Sequence, residues 1–499
     1  MQYNQIIDSD DQLIYSILTE FLNKNKQKIR IEEIKEQFDL SSHKLIKISE
    51  RIDQLAKKTE TFDFIATNKE WCFKTTPIFS LQDVHTEMIK SSVSYKLLME
   101  ILNSSFTSLE EFSQKNFMTK RTFYRKINGL TDYLNNYHLK LNLRKYTLLE
   151  GDEYFIRYFY HLLDWQMYGV KKKRTQLTSK QINHLNLLLK THYPFLRNID
   201  RARWIHYFDI SLIRIKNGFF LSYLPESIEN YNNSCLSLDV FKELFIKSIT
   251  IFPNKLEQSK REKEIILLYY MLSMMTTYSI EDITYIQSKK HSSIIHTEET
   301  ISTFIDTIQS MFNIYLDSVE TIFLVMNLQV IHSKTLVFAT QKKIDIYGIK
   351  TSEQDLDLFF TSYYHEVKSQ LLNSKLQKQF ENLYSKNERL FFQYCMLIRE
   401  ILERKKPFIT KIYLQSKFGK LQEEWQKRRV AEILYDNTKV LFVEKETDAD
   451  LVLLDYVVSM DEINDKFYIW NTTPSAKNWE YIFNYVDQLH KKYLATKKH

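Results

Sequence analysis

Residues 120–137 read KRTFYRKINGLTDYLNNY and carry two patterns at once. Apolar side chains recur at the spacing of one buried helix face: Phe123, Ile127, Leu130, Leu134. The positions left over in the first turns are basic or polar, and Thr119 stands where a side chain can cap the helix N-terminus. The stretch therefore predicts an amphipathic helix with a surface rich in hydrogen-bond donors at its start.

A shorter helix is predicted immediately before it, in SLEEFSQKN at 108–116. Ser108 is followed three residues later by Glu111, the spacing of a capping box, and Leu109 and Phe112 would face a core. Only the dipeptide Phe117-Met118 separates this helix from the cap of the next one. Two helices joined by so short a turn indicate a helix-turn-helix.

The segment HLKLNLRKYTLLEG at 138–151 alternates apolar and polar residues, as a half-buried strand does. It would supply a wing. A helix, a short turn, a basic helix and a β-ribbon in this order predict a winged helix-turn-helix unit.

Positive charge is concentrated in this unit. Residues 115–145 hold eight basic residues and one acid, Asp132, and their net charge of +7 equals that of the whole chain. Such a segment can replace counterions on a phosphate backbone. We therefore expect contacts to DNA from these residues of the helix and the wing: Lys120, Arg121, Thr122, Tyr124, Arg125, Lys126, Lys140, Arg144.

A weaker copy of the arrangement lies upstream. Apolar residues predict a helix at 31–38 and a second helix whose inward side chains are Leu45, Ile48, Ile52, Leu55. His43, Lys44 and Lys47 would be exposed on the second helix and would contact DNA. TFDFIATNKEWCFK reads as two strands with Asn68-Lys69 near the hairpin tip. Because acids are more frequent here, we expect this unit to position the protein more than to read sequence.

Composition sets the wider frame. A chain of 499 residues exceeds one ordinary core, and with only 6 Gly and 6 Pro it should be multidomain and mainly α. The three cysteines, Cys72, Cys235 and Cys395, fit neither a disulfide framework nor a zinc knuckle. The N-terminus does not read as a signal peptide and no stretch is apolar enough to span a membrane. We expect a cytoplasmic protein that does not bind membranes.

The period changes again near Pro407. Four short strand-like runs and two helical ones predict a small, open α/β sheet in the last hundred residues: PFITKIYLQS, KLQEEWQKRRVAEIL, TKVLFVE, ADLVLLDY, DKFYIWN, SAKNWEYIFNYVDQLHKKYL.

Residues 120–163, KRTFYRKINGLTDYLNNYHLKLNLRKYTLLEGDEYFIRYFYHLL, resemble the Mga/AtxA family of virulence transcription regulators. The resemblance implies two winged helix-turn-helix units, two helical phosphotransferase-regulatory domains (PRDs) and a C-terminal domain similar to a phosphotransferase IIB component. The corresponding ranges are 1–78, 79–152, 153–285, 286–403 and 404–499. It further implies a regulator of virulence or metabolic genes, an activator by family expectation, that binds double-stranded promoter DNA.

The resemblance also implies regulatory histidines. RARWIHYFDISLIRIKNGFFL, with Arg214, Lys216 and Gly218, resembles the PRD segment that places a phosphoacceptor at His206. In VMNLQVIHSKTLVF the corresponding candidate is His332. The phosphocarrier protein of the phosphotransferase system would be the partner that modifies them. A later PRD histidine position is occupied by Met271 and Cys395, so this control would be partial, and Cys395 itself reads as a buried small hydrophobe.

The IIB-like domain would not transfer phosphoryl groups, because residues 400–499 contain no cysteine and its first turn reads LQSKFGKL. A surface freed from catalysis can serve as a two-fold contact, so we expect a homodimer through this domain.

Three other classes of function fit the sequence less well. An enzyme is disfavoured because no P-loop, GxGxxG, HExxH or GxSxG motif is present. No cofactor or metal is expected, since HSSIIHTEET fits no standard metal spacing. A PRD-containing RNA-binding antiterminator would begin with a small β-domain, and a non-DNA scaffold protein would leave the basic segment unexplained.

Overall fold

The computed structural model describes residues 6–23, 28–143, 148–168, 176–231, 237–248, 257–289, 298–338, 358–387, 389–405, 409–434, 439–456 and 466–496. These residues are mainly helical, as predicted, and the small sheet predicted near the C-terminus is parallel. The chain divides into two compact units, Met1–Ser293 with His332–Ile349, and Ile294–Ile331 with Lys350–His499.

The first unit begins with a helix whose buried residues Ile14, Ile17, Leu18 and Phe21 follow a helical period. Its N-terminal elements are α1 (Ser9–Asn23), β1 (Lys28–Arg30), α2 (Ile31–Phe38), α3 (Ser42–Thr59), β2 (Phe62–Ala66) and β3 (Glu70–Thr75). The strands form an antiparallel sheet in the order β1-β3-β2. The predicted hairpin is confirmed, with its tip at Asn68-Lys69 closed by a hydrogen bond from Thr67 N to Glu70 O (2.9 Å).

Two further helices precede the predicted helix pair. The elements are α4 (Leu81–Ser91), α5 (Val93–Leu102), α6 (Leu109–Lys115), α7 (Lys120–Asn135), β4 (Lys140–Leu141) and β5 (Leu149–Glu150). Helix α5 packs against α7. Both predicted helices exist, but the ladder that pairs β4 with β5 holds only two residues on each strand.

The rest of this unit is a layer of helices. They are α8 (Glu153–Tyr168), α9 (Ser179–His192), α10 (Asn198–Lys216), α11 (Glu226–Glu229), α12 (Leu238–Ser248), α13 (Gln258–Met275) and α14 (Ile280–Lys289). Helix α10 packs against both α8 and α13 and is buried along most of its length. Aromatic side chains fill the core here; Trp204 stacks on Phe208, with ring centroids 5.5 Å apart.

The second unit combines helices with the parallel sheet. Its elements include α15 (Glu299–Phe312), α17 (Leu358–Leu372), α18 (Gln377–Lys386), α19 (Leu390–Lys405), β6 (Ile409–Gln415), α20 (Lys420–Leu434), β7 (Lys439–Phe442), β8 (Leu451–Leu454), β9 (Phe467–Ile469) and α21 (Ala476–Thr496). Helix α16 (Ser318–Val337) contributes residues to each unit. All four predicted strands are confirmed and run parallel in the order β7-β6-β8-β9.

One face of this sheet packs against two helices. Ile412 and Leu414 of β6 and Leu451 and Leu453 of β8 are buried against Val430 and Leu434 of α20 and Ile482 of α21. On this face both central strands are therefore covered by helices.

The cysteines lie in different environments. Cys395 is fully buried on α19, as expected, and burial raises the pKa of its thiol to about 12. Cys72 is half-buried on β3, and Cys235 lies outside the described residues. Within the described ranges, every helix is too short or too polar to cross a membrane.

Candidate nucleic-acid interface

The turn between α6 and α7 is fixed by two caps. The Ser108 hydroxyl accepts a hydrogen bond from Glu111 N (3.1 Å), and the Thr119 hydroxyl accepts one from Thr122 N (3.2 Å). Half of the predicted capping box therefore forms, whereas the Glu111 carboxylate accepts from the Thr107 hydroxyl. Phe117 occupies the turn with φ +52° and a side chain that is 97% exposed. The caps start α7 at a defined residue and so set the direction of its basic end.

The inward face of α7 is the predicted one. Phe123, Ile127, Leu130 and Leu134 are all buried, and the ring of Phe123 meets that of Phe112 on α6 edge to face, with centroids 5.6 Å apart. Because these buried residues fix the rotation of α7 about its own axis, they also determine which of its residues point outward.

The outward face of α7 presents Arg121, Tyr124 and Arg125, all exposed. In the described parts of the chain neither arginine makes an ion pair, so both guanidinium groups can contact a ligand. Thr122 is half-buried and its backbone is used in the helix cap. This face, Arg121, Tyr124 and Arg125, is called the reading face below.

The two lysines of α7 lie differently from the arginines. Lys120 forms an exposed ion pair with Glu110 on α6. Lys126 is only 29% exposed and pairs with Asp8, which precedes α1. Of these two predicted DNA contacts, Lys120 is thus exposed but paired, and Lys126 is partly covered by the acidic residue that precedes α1.

The wing places Lys140 on β4, where it is exposed and opposite Glu150 of β5. The Asn142 amide donates to the Glu150 carboxylate (3.2 Å). Gly151 follows with φ +152°, and a Cβ there would lie 2.5 Å from Leu139 Cδ2, so the close approach requires glycine. Arg144, the other predicted wing contact, lies outside the described residues.

The upstream helix pair, α2 and α3, has a similar helix cap. The Ser41 hydroxyl accepts from Lys44 N (3.3 Å) and starts α3, whose predicted inward residues are all buried. His43 is exposed. Lys44 and Lys47, which were predicted to be exposed, are 35% and 63% exposed, and both pair with the carboxylate of Asp10; the distance for Lys47 is 2.8 Å. The periodic apolar residues of α1 could have predicted that helix, but its ion pairs to α3 carry no local sequence signal.

His206 lies inside the helical layer, on α10, and is 6% exposed. Its Nδ1 is 3.0 Å from Nδ1 of His161, and its Nε2 is 2.9 Å from Oδ2 of Asp164, both on α8. The other carboxylate oxygen of Asp164 accepts from the Tyr95 hydroxyl on α5 (3.3 Å). Burial, followed by the charge of Asp164, raises the pKa of Tyr95. A hydrogen-bonded chain therefore joins His206 to the helix that supports α7.

The Arg-x-Lys-x-Gly segment is structural at its first position. Arg214 is buried and donates to both carboxylate oxygens of Glu153 (3.0 and 2.7 Å). Glu153 also accepts from Arg157 (2.9 Å), which is fully buried and pairs with the buried Glu264 of α13. Lys216 reaches the Gln176 amide oxygen (3.1 Å), and Gly218 ends the segment with φ +84°.

The remaining predictions concern His332 and possible metal ligands. His332 is 1% exposed on α16. The HSSIIH part of the histidine-rich stretch lies outside the described residues. Across the described ranges no group of three or more His, Cys, Asp or Glu side chains is arranged to hold a metal ion.

The segment that contains the helix pair matches a known protein family. Residues 77–163 match the family model of the Mga helix-turn-helix domain, a range that contains α4 to α7, the wing and the first part of α8. A search of curated proteins gave no match. The matched range holds the caps, the buried face of α7 and the reading face, and so supports a DNA-binding transcription regulator. The helix pair α6–α7 thus lies in a segment, residues 77–163, that matches a Mga helix-turn-helix domain, and this match supports a Mga-family regulator.

Proposed function

We propose that the protein regulates transcription by placing the N-terminal end of α7 in the major groove of promoter DNA. The observation that carries this proposal is the reading face: two arginines without ion-pair partners in the described chain flank an exposed tyrosine on a capped helix inside a Mga helix-turn-helix domain. Arginine forms bidentate hydrogen bonds to guanine or to phosphate, so Arg121 and Arg125 are the main contacts. Lys120, Thr122 and the wing residue Lys140 add phosphate contacts.

The upstream helix pair, α2 and α3, adds a second basic helix beside α7. Arg125 lies close enough to Lys47 to oppose its positive charge, although the hydrogen bond to Asp10 keeps the Lys47 pKa raised overall. The basic ends of α3 and α7 are therefore neighbours. We assign His43, Lys44 and Lys47 to phosphate contacts that position the protein, and base contacts to α7.

Regulation is proposed to act through His206. Both ring nitrogens are engaged, so a phosphocarrier protein reaches the ring only after α10 loosens from α8. A phosphoryl group carries up to about two negative charges at neutral pH, which Asp164 would repel. Loss of the His206–Asp164 contact frees the partner of Tyr95, and α5 carries the change to α7. His332, equally buried, is the corresponding candidate on α16.

A homodimer through the C-terminal domain is proposed from its surface. Phe418, Leu421 and Trp425 are 65%, 87% and 42% exposed at the start of α20. Apolar side chains exposed together at helical spacing are typical of association surfaces. In the turn before α20 the Asp455 carboxylate accepts from the Ser416 hydroxyl (2.7 Å) and from Lys417 N (2.8 Å), so these two donors are already used within the protein. The exposed apolar residues and the occupied turn support dimerisation, and not phosphoryl transfer, as the role of this domain.

The test is DNA binding by the full chain over a salt series, with a duplex taken from upstream of its own gene. Arg121→Ala/Arg125→Ala should lower affinity by about 30-fold or more, and should reduce the slope of log K against log salt by about two. The matched control is Lys180→Ala/Lys190→Ala, which removes the same charge from exposed positions of α9. Equal binding by the arginine variant and wild type would remove α7 from the interface, and absence of binding by all three proteins would contradict the proposed function.

A further inference from the structure

The start of α1 contacts the basic helices of both DNA-binding units. Asp10 uses one carboxylate oxygen for Lys44 and the other for Lys47, both on α3. Two residues earlier, Asp8 pairs with Lys126 on α7. Asp8 and Asp10, named the acidic clasp here, thus neutralise three lysines that the sequence predicted to contact DNA.

Asp11, the residue that follows the clasp, holds the start of α1 in place. The Asp11 carboxylate accepts two hydrogen bonds from the Arg51 guanidinium (2.9 Å each), and Arg51 also donates to the Ser91 hydroxyl (2.7 Å). Asp11 is 5% exposed and belongs to the core of the contact. The start of α1 therefore stays beside α3 even if the outer pairs open.

The pairs of the clasp remain within reach of water. The side chains of Asp8 and Asp10 are 36% and 25% exposed, and those of Lys44, Lys47 and Lys126 are 35%, 63% and 29% exposed. Burial raises the pKa of the Asp10 carboxyl, but the hydrogen bonds from Lys44 and Lys47 outweigh that effect and lower it overall, so Asp10 is charged. Partly exposed ion pairs contribute little stability and can be exchanged for another anion.

The anion that competes is a DNA phosphate. A lysine that is already neutralised by a carboxylate does not neutralise a DNA phosphate, so fewer counterions are released from the DNA. The carboxylates themselves repel the approaching backbone. We propose that the acidic clasp is autoinhibitory: it occupies the lysines of both basic helices and must release them before tight binding to duplex DNA. This inference rests on the proposed DNA-binding function.

The experiment compares wild type with Asp8→Asn/Asp10→Asn in the full chain, using the upstream duplex and a random-sequence duplex of equal length over a salt series. The variant should bind both about 10-fold more tightly at low salt, with a slope of log K against log salt that is steeper by about two. The control is Asp53→Asn/Asp132→Asn, which removes one acid from each unit: Asp53 pairs with Lys57, and Asp132 is exposed near the end of α7. It should change affinity by less than about 3-fold.

The other possible results separate the failure of the clasp from the failure of the proposed DNA-binding function. If wild type binds and the clasp variant behaves like the control, the clasp is overturned and the proposed function stands. Weaker binding by the variant also overturns it, because the pairs would then brace the two helices for DNA. If no protein binds either duplex, both the inference and the proposed function fail. Asp8→Asn alone, which frees only Lys126, should give a smaller gain and guards against misfolding of the double variant, which thermal unfolding checks.

Discussion

His206 Nε2 lies 2.9 Å from Asp164 Oδ2 in the packed contact between α10 and α8. The carboxylate is 1% exposed and also accepts the Tyr95 hydroxyl. A buried carboxylate with these partners is stable only while they stay in place, because loss of one leaves a charge without compensation. A change in the charge of His206 would therefore disturb the carboxylate that also accepts from Tyr95 on α5.

His206→Glu should loosen this contact, because it places a second carboxylate beside Asp164 in the buried site. We expect a loss of about 3 kcal/mol or more in unfolding free energy and a change in DNA affinity in the same protein. Urea unfolding and the DNA-binding assay measure the two effects. His184→Glu on the exposed side of α9 is the control. A His206→Glu protein with unchanged stability and unchanged DNA affinity would contradict the proposed route from His206 to α7.

Arg157 and Glu264 form a buried ion pair, with an Nη2–Oε1 distance of 3.0 Å and both side chains fully buried. Arg157→Met strands the Glu264 carboxylate and should cost about 3–5 kcal/mol in urea unfolding. Arg157→Met/Glu264→Gln should recover part of that loss, since no charge is left behind. Lys427→Met on α20, where the pair with Glu424 is partly exposed, should cost less than about 1 kcal/mol. Equal losses for the single and double variants at the buried site would refute this explanation.

His85 on α4 gives a pH dependence to the stability of the helix-turn-helix region. Burial lowers its pKa to about 4 from an ordinary 6.5. The neutral ring is favoured in the folded protein, so its stabilisation is complete above pH 6.5 and is lost progressively between pH 6.5 and about 4. Hydrogen exchange in α4 should report about 1.4 kcal/mol less protection at pH 5.5 than at pH 7.5. His85→Leu should lose most of that difference; if it keeps the full difference, another group is responsible.

Local patterns in the sequence predicted the parts of the fold that local forces determine. The caps at Ser108 and Thr119, the buried face of α7 and strands β6 to β9 follow from side chains within a few positions of one another. Pairings between distant residues could not be read in this way. Lys126 and Asp8 are 118 positions apart, and nothing near Lys126 indicates that a carboxylate covers it. The sequence therefore predicted the direction of the basic face but not that part of it is already neutralised.

The buried histidines show the same limit. The RARWIHYF pattern placed His206 on a helix, yet its partners His161 and Asp164 lie on another helix more than 40 positions earlier. Such contacts depend on how α8 and α10 pack, which the helical period alone does not specify. Phosphorylation at His206 stays a prediction, now with a defined contact that it would have to break.

The most direct test of the central claim, that α7 contacts DNA through its reading face, is site-specific photo-cross-linking. A photoreactive phenylalanine analogue at Tyr124, which is 52% exposed between Arg121 and Arg125, should cross-link to the upstream duplex. The same analogue at Tyr285 on α14, which is 44% exposed, should not. Cross-linking at Tyr124 that disappears with excess unlabelled duplex is the result we predict. If Tyr124 gives no more DNA adduct than Tyr285 while the protein is bound to the duplex, α7 is not the DNA-contacting helix.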